Sequence, residues 1–162
     1  MTKRHPQGRW VIVISFLVAF VLSALPMPEW ASLWRPGWVA LVLIYWCMAL
    51  PQKVGVATGW LVGLMLDVLL GTVLGQHALA MCVIAFVTHK LHRQVRVLPV
   101  WQQGISVFLL VLFYQILVLW INGIQGVPVE VVAYWASPLV STVLWPWVFI
   151  ILRDLRRRYH VT

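Results

Sequence analysis

Charged residues are scarce in this sequence, and acidic residues are the scarcest of them. Only 10% of the 162 residues are charged and only four are aspartate or glutamate, whereas 62% are hydrophobic. The mean hydropathy of +0.92 is far above that of soluble globular domains. This composition excludes a water-soluble protein, and we expect one helical bundle without a separate soluble domain.

Cysteine is scarce as well. Cys47 and Cys82 both lie inside apolar runs, and the sequence contains no CxxC or Cys/His spacing typical of a metal site. This pattern argues against a disulfide framework. His89 and His92 are three residues apart, but no third ligand is evident, so we predict that they lie at the membrane interface. We expect no metal and no cofactor.

Groups that could cooperate in catalysis are also lacking. Acid/base or nucleophilic catalysis needs at least two polar groups within reach of each other. Asp67 is the only acidic residue inside an apolar segment, and the sequence identifies no base beside any serine or threonine. We therefore predict that the protein is not an enzyme.

Long apolar runs are what the sequence has in abundance. A membrane-spanning helix needs roughly 20 apolar residues. Six candidate spans, separated by proline and glycine, cover about 10–25, 34–50, 55–70, 73–88, 100–121 and 134–152. The first is interpreted as a span and not a cleaved signal, because further apolar segments follow it. The fourth has a short apolar part, for which a re-entrant segment is the alternative. The sequence predicts an all-α, polytopic membrane protein with six transmembrane helices.

The distribution of basic residues predicts the orientation of these spans. With a cytoplasmic N-terminus, eleven of the twelve basic residues lie on the inner side and only Arg35 on the outer side. The eleven are Lys3, Arg4, Arg9, Lys53, Lys90, Arg93, Arg96, Arg153, Arg156, Arg157 and Arg158. Both termini are then cytoplasmic. We predict that the basic C-terminal residues contact lipid headgroups or a cytoplasmic protein, and not nucleic acid.

A small or acidic residue recurs at every fourth position of the third segment. The row consists of Gly55, Gly59, Gly63, Asp67, Gly71 and Gly75. An i, i+4 row without side chains lets another helix approach closely. We predict tight helix packing along the first three glycines, with a hinge or a ligand cleft as the alternative. The last two are predicted to allow positive φ at the helix end and in the turn.

Asp67 needs a partner of its own. It lies about 18 Å along the helix from Gly55, somewhat beyond the membrane midplane. A carboxylate at that depth must be neutral, paired or solvated. We predict an ion pair with Arg35, and a structural hydrogen bond between helices is the alternative.

The sixth segment contains two prolines that are predicted to interrupt its helix, Pro138 and Pro146. Trp145 lies deep in the same segment and is predicted to pack against a partner helix. The glycine row of the third segment, together with Trp145 and Pro146, is therefore the predicted docking surface for a partner.

Several motifs, taken in their order and spacing, resemble the MreD family of rod shape-determining membrane proteins in its proteobacterial form. They are GRWVI in the first segment, RPGWVALVLIYWCMALP in the second, GLMLDVLLGTVLG in the third, WQQ entering the fifth and LWPW before the basic tail. The resemblance covers the chain almost from end to end. It implies a helical fold similar to the substrate-binding S-components of energy-coupling-factor transporters.

The resemblance also implies a function. The implied protein is a non-enzymatic inner-membrane subunit of the cell-elongation machinery. This subunit helps regulate lateral peptidoglycan synthesis and rod shape. The implied partners are MreC, the glycosyltransferase RodA with its paired penicillin-binding transpeptidase, and the actin-like MreB on the cytoplasmic face. Membrane lipids are further expected contacts, and a second copy of the chain, forming a homodimer, is a further partner that the sequence leaves undecided. The alternative function is that of a small-solute-binding subunit of an energy-coupling transporter.

Overall fold

The computed structural model describes residues 8–32 and 34–161, apart from the side chain of Ala133. Within these residues all regular secondary structure is helical, which confirms the predicted all-α class. The helices are α1 (Arg9–Ala24), α2 (Glu29–Ser32), α3 (Trp38–Ala49), α4 (Val56–Leu70), α5 (Gln76–Val97), α6 (Val100–Gln125) and α7 (Val131–Arg158). Lys3 and Arg4 of the predicted inner side lie outside the described residues.

The six longer helices correspond to the six apolar segments, with two notable shifts. The second segment becomes helical only at Trp38, because the residue before Pro36 is disfavoured in helical conformation. The fourth segment forms a helix of 22 residues that begins after Gly75 and continues to Val97. The short apolar part from Ala78 to Thr88 is therefore the first half of a longer, amphipathic helix.

The outer surface of the bundle is apolar. Large hydrophobic side chains are exposed on α1, α4, α6 and α7, among them Val21, Leu61, Trp120 and Val143. Soluble monomers rarely expose contiguous apolar surface on this scale, so this surface indicates a membrane protein. Two helices are long and apolar enough to cross a membrane, α6 and the part of α7 from Tyr134, whereas α1, α3 and α4 are shorter apolar helices.

Helix α3 forms the centre of the bundle. Every residue from Val39 to Met48 is buried, and the helix packs against α1, α5, α6 and α7. The Trp46 indole N–H donates to the Ser15 hydroxyl at 2.8 Å, and that hydroxyl donates to the Ile12 carbonyl at 2.6 Å. Because the polar groups are paired with each other, α1 and α3 can be joined without an unsatisfied donor in the apolar interior.

Helix α7 runs without interruption through both of its prolines, so the predicted breaks at Pro138 and Pro146 are wrong. Neighbouring helices can support a proline inside a membrane helix. Trp145 is 0% exposed, and its ring centroid lies 5.9 Å from that of Phe149 in the next turn. The tryptophan therefore packs inside its own chain, which corrects its predicted contact with a partner helix. Pro146 is half-buried beside it.

Candidate functional site

The turn between α4 and α5 positions the most unusual polar group of the protein. Gly71 ends α4 with φ +68°, and Gly75 precedes α5 with φ +102°. Both glycines adopt the positive φ predicted for them, which other residues rarely tolerate. The chain reverses between them and brings the first turn of α5 next to Asp67, which is 0% exposed.

The Asp67 carboxylate accepts five hydrogen bonds at this turn. Oδ1 accepts from the Thr72 hydroxyl at 2.8 Å, from the His77 backbone N–H at 2.9 Å and from His77 Nδ1 at 2.8 Å. Oδ2 accepts from the backbone N–H groups of Gly75 at 2.9 Å and Ala78 at 3.3 Å. An ionised carboxylate only accepts, so Nδ1 of His77 carries the hydrogen of that contact. We call this arrangement the Asp67 cap.

The Asp67 cap explains why an acid is stable inside this apolar helix. The first backbone N–H groups of a helix have no acceptor within it, and their dipoles make that end positive. A capping side chain usually comes from the residue just before the helix. Here it comes from the preceding helix, so one carboxylate both caps α5 and joins it to α4.

The predicted ion pair between Asp67 and Arg35 is wrong. The Arg35 guanidinium donates to the backbone carbonyls of Ser23 at 3.0 Å and Leu25 at 2.9 Å. The backbone donors of α5 occupy the carboxylate because the tight turn brings them closer to it than any side chain of another segment. The alternative, a structural hydrogen bond between helices, describes the observed geometry.

Gly59 and Gly63 face α5 of the same chain. A Cβ atom on Gly63 would lie 2.3 Å from the Ala78 Cα, and one on Gly59 would lie 2.9 Å from the Met81 carbonyl oxygen. The close helix approach expected at these glycines is thus made within the chain. This corrects their predicted role as a docking surface for a partner. An added Cβ would meet no described atom within 4 Å at Gly55, Gly71 or Gly75.

A partly open cavity of about 250 Å³ lies beside the Asp67 cap. Polar groups from several segments line it: Ser23, Ser32, Arg35, His77, Tyr114, Gln115, Tyr134 and Ser137. We call it the Arg35 cavity. Sequence reasoning missed it because its wall comes from segments far apart in the chain. Polar residues inside apolar runs, such as Gln115 and Ser137, were the only local signal.

Hydrogen bonds between helices hold part of this wall in place. Gln76 Nε2 donates to Asn122 Oδ1 at 2.7 Å, and Asn122 Nδ2 donates to the Tyr134 hydroxyl at 2.8 Å. Gln115 Nε2 donates to the Ser137 hydroxyl at 3.1 Å. The start of α5, the end of α6 and the start of α7 are therefore connected around the cavity.

Basic side chains gather at the other end of the bundle. Lys53 and Arg96 line one surface cavity, while Arg96, Arg153 and Arg156 line a second one next to Tyr45. These four residues, which we call the basic end, lie near the end of α3, whereas Arg35 lies near its beginning. Arg157 and Arg158 follow on α7 and are exposed.

An apolar groove of about 380 Å³ runs between α1 and α7. Its lining residues are Trp10, Val11, Ile14, Ser15, Val18, Ala19, Leu22, Trp38, Val42, Val148, Ile151, Leu152, Leu155 and Tyr159. We call it the α1–α7 groove. At one of its ends the rings of Trp10 and Tyr159 pack edge to face with centroids 4.8 Å apart. The Ser15 hydroxyl is already paired with Trp46, so the groove presents an apolar surface.

Comparison with known proteins shows which family this chain resembles in sequence. Residues 4–155 match the family model of the rod shape-determining protein MreD. The rod shape-determining protein MreD of Haemophilus influenzae is 34% identical over 154 residues, which make up 93% of this chain and 93% of that protein. No solved structure matches the chain. The matched residues include the Asp67 cap, the Arg35 cavity and most of the α1–α7 groove.

Proposed function

Because this chain belongs to the MreD family of rod shape-determining proteins, we propose that it is a non-enzymatic subunit of the bacterial inner membrane that binds MreC. Through MreC it helps regulate RodA and its paired penicillin-binding transpeptidase, and thereby lateral peptidoglycan synthesis. The α1–α7 groove supports the proposed binding of MreC, because its apolar surface suits a transmembrane helix.

We propose six spans with both termini in the cytoplasm. Lys53, Arg96, Arg153 and Arg156 come from three separate parts of the chain, yet they gather at the basic end. Basic residues near membrane helices are retained on the cytoplasmic side, so this end faces the cytoplasm and Arg35 faces outward. The exposed Arg157 and its neighbours are then available to anionic lipids or to MreB.

The α1–α7 groove replaces the glycine row as the docking surface for MreC. The α1 wall from Trp10 to Leu22 rises about 18 Å, which is more than half of the roughly 30 Å hydrocarbon core. Helix association in lipid depends on close packing, since lipid chains are as apolar as the helices themselves. A groove whose base is formed by the buried helix α3 offers more packing area than a single convex helix.

Replacing Val18 by tryptophan is expected to fill the α1–α7 groove and reduce the recovery of MreC. Val18 lines the groove and is 52% exposed, so the larger side chain enters the groove without disturbing the interior. Overpacking costs about 1–3 kcal/mol, which corresponds to a loss of about 5-fold to 150-fold in affinity. The ratio of MreC to this protein after mild detergent purification, measured by quantitative mass spectrometry, checks the expectation.

Val13→Trp is the matched control. Val13 is 57% exposed on the same helix and does not line the groove, so this variant should recover MreC at the wild-type ratio. Equal MreC losses in both variants, or none in either, would place the contact elsewhere. Differently tagged copies of the chain in one cell would show whether a second copy occupies the groove.

The Arg35 cavity is the observation that favours the alternative function, that of a solute-binding subunit of an energy-coupling transporter. The same purification separates the two functions. An elongation subunit should bring down MreC and the wall synthases, whereas a transporter subunit should bring down an energy-coupling ATPase module in their place.

A further inference from the structure

The Arg35 cavity has a positive charge that the described residues leave unbalanced. A guanidinium has five N–H donors. In Arg35, one of them bonds the Ser23 carbonyl and another bonds the Leu25 carbonyl. Its Nε is buried and has no hydrogen-bond partner among the described residues. The ion pairs found between these residues join His77 to Asp67 and Arg153 to Asp154, and neither includes Arg35. Arg35 is thus a cation without an acidic partner among the described residues, and each of its two terminal nitrogens keeps one further N–H for an anion.

Hydroxyl donors line the same cavity. The Tyr134 hydroxyl accepts from Asn122 and the Ser137 hydroxyl accepts from Gln115, and neither donates a hydrogen bond within the described part of the chain. The Tyr114 hydroxyl makes no hydrogen bond to any described residue. The three hydroxyls stand on α6 and α7, and Arg35 stands before α3, so a ligand between them would be contacted by separate parts of the fold.

Acidic groups are missing from the described wall of the cavity. Its lining residues include no aspartate or glutamate. Asp67 lies nearby, but its oxygens accept five hydrogen bonds from Thr72, Gly75, His77 and Ala78. The cavity wall therefore combines a cation with donors and contains no competing carboxylate.

We propose that the Arg35 cavity binds a phosphate group, supplied by a phospholipid headgroup or by a small soluble phosphate ester. A phosphate spreads its acceptor oxygens in several directions, so it can bond a guanidinium on one side and hydroxyls on the other. The volume of about 250 Å³ is slightly below the roughly 300 Å³ at which pockets for drug-sized ligands begin. It suits a headgroup or a compact ester. This site is separate from the α1–α7 groove and does not depend on MreC binding.

The test uses the purified full chain in dodecyl maltoside, a detergent that contains no phosphate group. Glycerol 3-phosphate is titrated into the micelles in one arm, and the mole fraction of added phosphatidylglycerol is raised in the other. A ligand that binds the folded state raises the melting temperature, and the midpoint of that rise reports affinity. A rise only with phosphatidylglycerol assigns the site to a lipid, and a rise with glycerol 3-phosphate assigns it to a soluble ester.

Two variants connect the rise to the cavity. Tyr114→Phe removes a hydroxyl that has no hydrogen-bond partner among the described residues, so the unliganded melting temperature should stay unchanged while affinity falls about tenfold. Arg35→Gln should weaken binding about a hundredfold, and Arg93→Gln, which changes an exposed arginine of α5 outside the cavity, should leave it unchanged. The absence of a rise with both probes, or wild-type affinity in Tyr114→Phe and Arg35→Gln, would overturn the proposal.

Discussion

Replacing Gly63 by alanine is expected to force α4 and α5 apart and destabilise the protein itself. The new Cβ would lie 2.3 Å from the Cα and 2.7 Å from the backbone nitrogen of Ala78, which is closer than real Cβ contacts come. Both atoms belong to helix backbone, so relief requires a shift of a whole helix. Overpacking of this kind costs about 1–3 kcal/mol or more. The melting temperature of the detergent-solubilised protein should fall clearly, and further with Gly63→Leu.

Gly123→Ala is the control for Gly63→Ala. Gly123 lies in α6, and its added Cβ would meet no described atom within 4 Å. Alanine is the better helix former by about 1 kcal/mol, so this variant should match or exceed wild-type stability. A Gly63→Leu protein that melts like the wild type but fails to bind MreC would contradict the packing found here, and would restore the glycine row as a docking surface.

Replacing Asp67 by alanine is expected to be the other strongly destabilising change. It leaves the backbone N–H groups of Gly75, His77 and Ala78 without their acceptor next to the buried start of α5. Each unsatisfied buried donor costs about 1–3 kcal/mol. We expect a total loss of about 3 kcal/mol or more, seen as a lower melting temperature and lower yield of folded protein.

A series of substitutions that removes more or fewer hydrogen bonds from the Asp67 cap tests whether these bonds cause the loss of stability. Thr72→Val removes one donor of five and should cost only about 1 kcal/mol. Asp67→Asn should lie between this variant and Asp67→Ala, because its amide nitrogen would face N–H donors in place of an oxygen. Asp67→Glu should also be destabilised, since a further methylene would move the buried carboxylate away from the donors around Asp67. Equal stability of Asp67→Ala and Thr72→Val would exclude the cap as a main source of stability.

The two changes also affect function through the fold. Asp67 holds His77 in the wall of the Arg35 cavity, and Gly63 sets the distance between the helices on either side of that histidine. Loss of rod shape in a Gly63 or Asp67 variant would therefore reflect an altered bundle. Val18→Trp and Tyr114→Phe are the better probes of partner and ligand contacts, because each changes a group that the fold does not use.

The sequence by itself determined the class of protein, the six helical segments and the turn glycines. These follow from composition and local backbone chemistry: an apolar exterior requires lipid, and Gly71 and Gly75 can take the positive φ that a turn between helices needs. Even here the start of α3 and the full length of α5 differed from the prediction. Pro36 disfavours a helical conformation in the residue before it, so α3 begins later than the apolar segment. Helix α5 continues into charged residues, which a hydropathy criterion leaves out of a membrane span.

The tertiary structure alone decided which side chains and helices are in contact. An i, i+4 row of glycines can receive a helix of any chain, and only the tight turn after α4 makes α5 the helix that fills it. Asp67 could have met any donor that the fold brought near, and the first turn of α5 was nearest. Arg35 and the hydroxyls of α6 and α7 share a cavity for the same reason: a contact between distant segments depends on the packing of the whole bundle, which local sequence patterns do not encode.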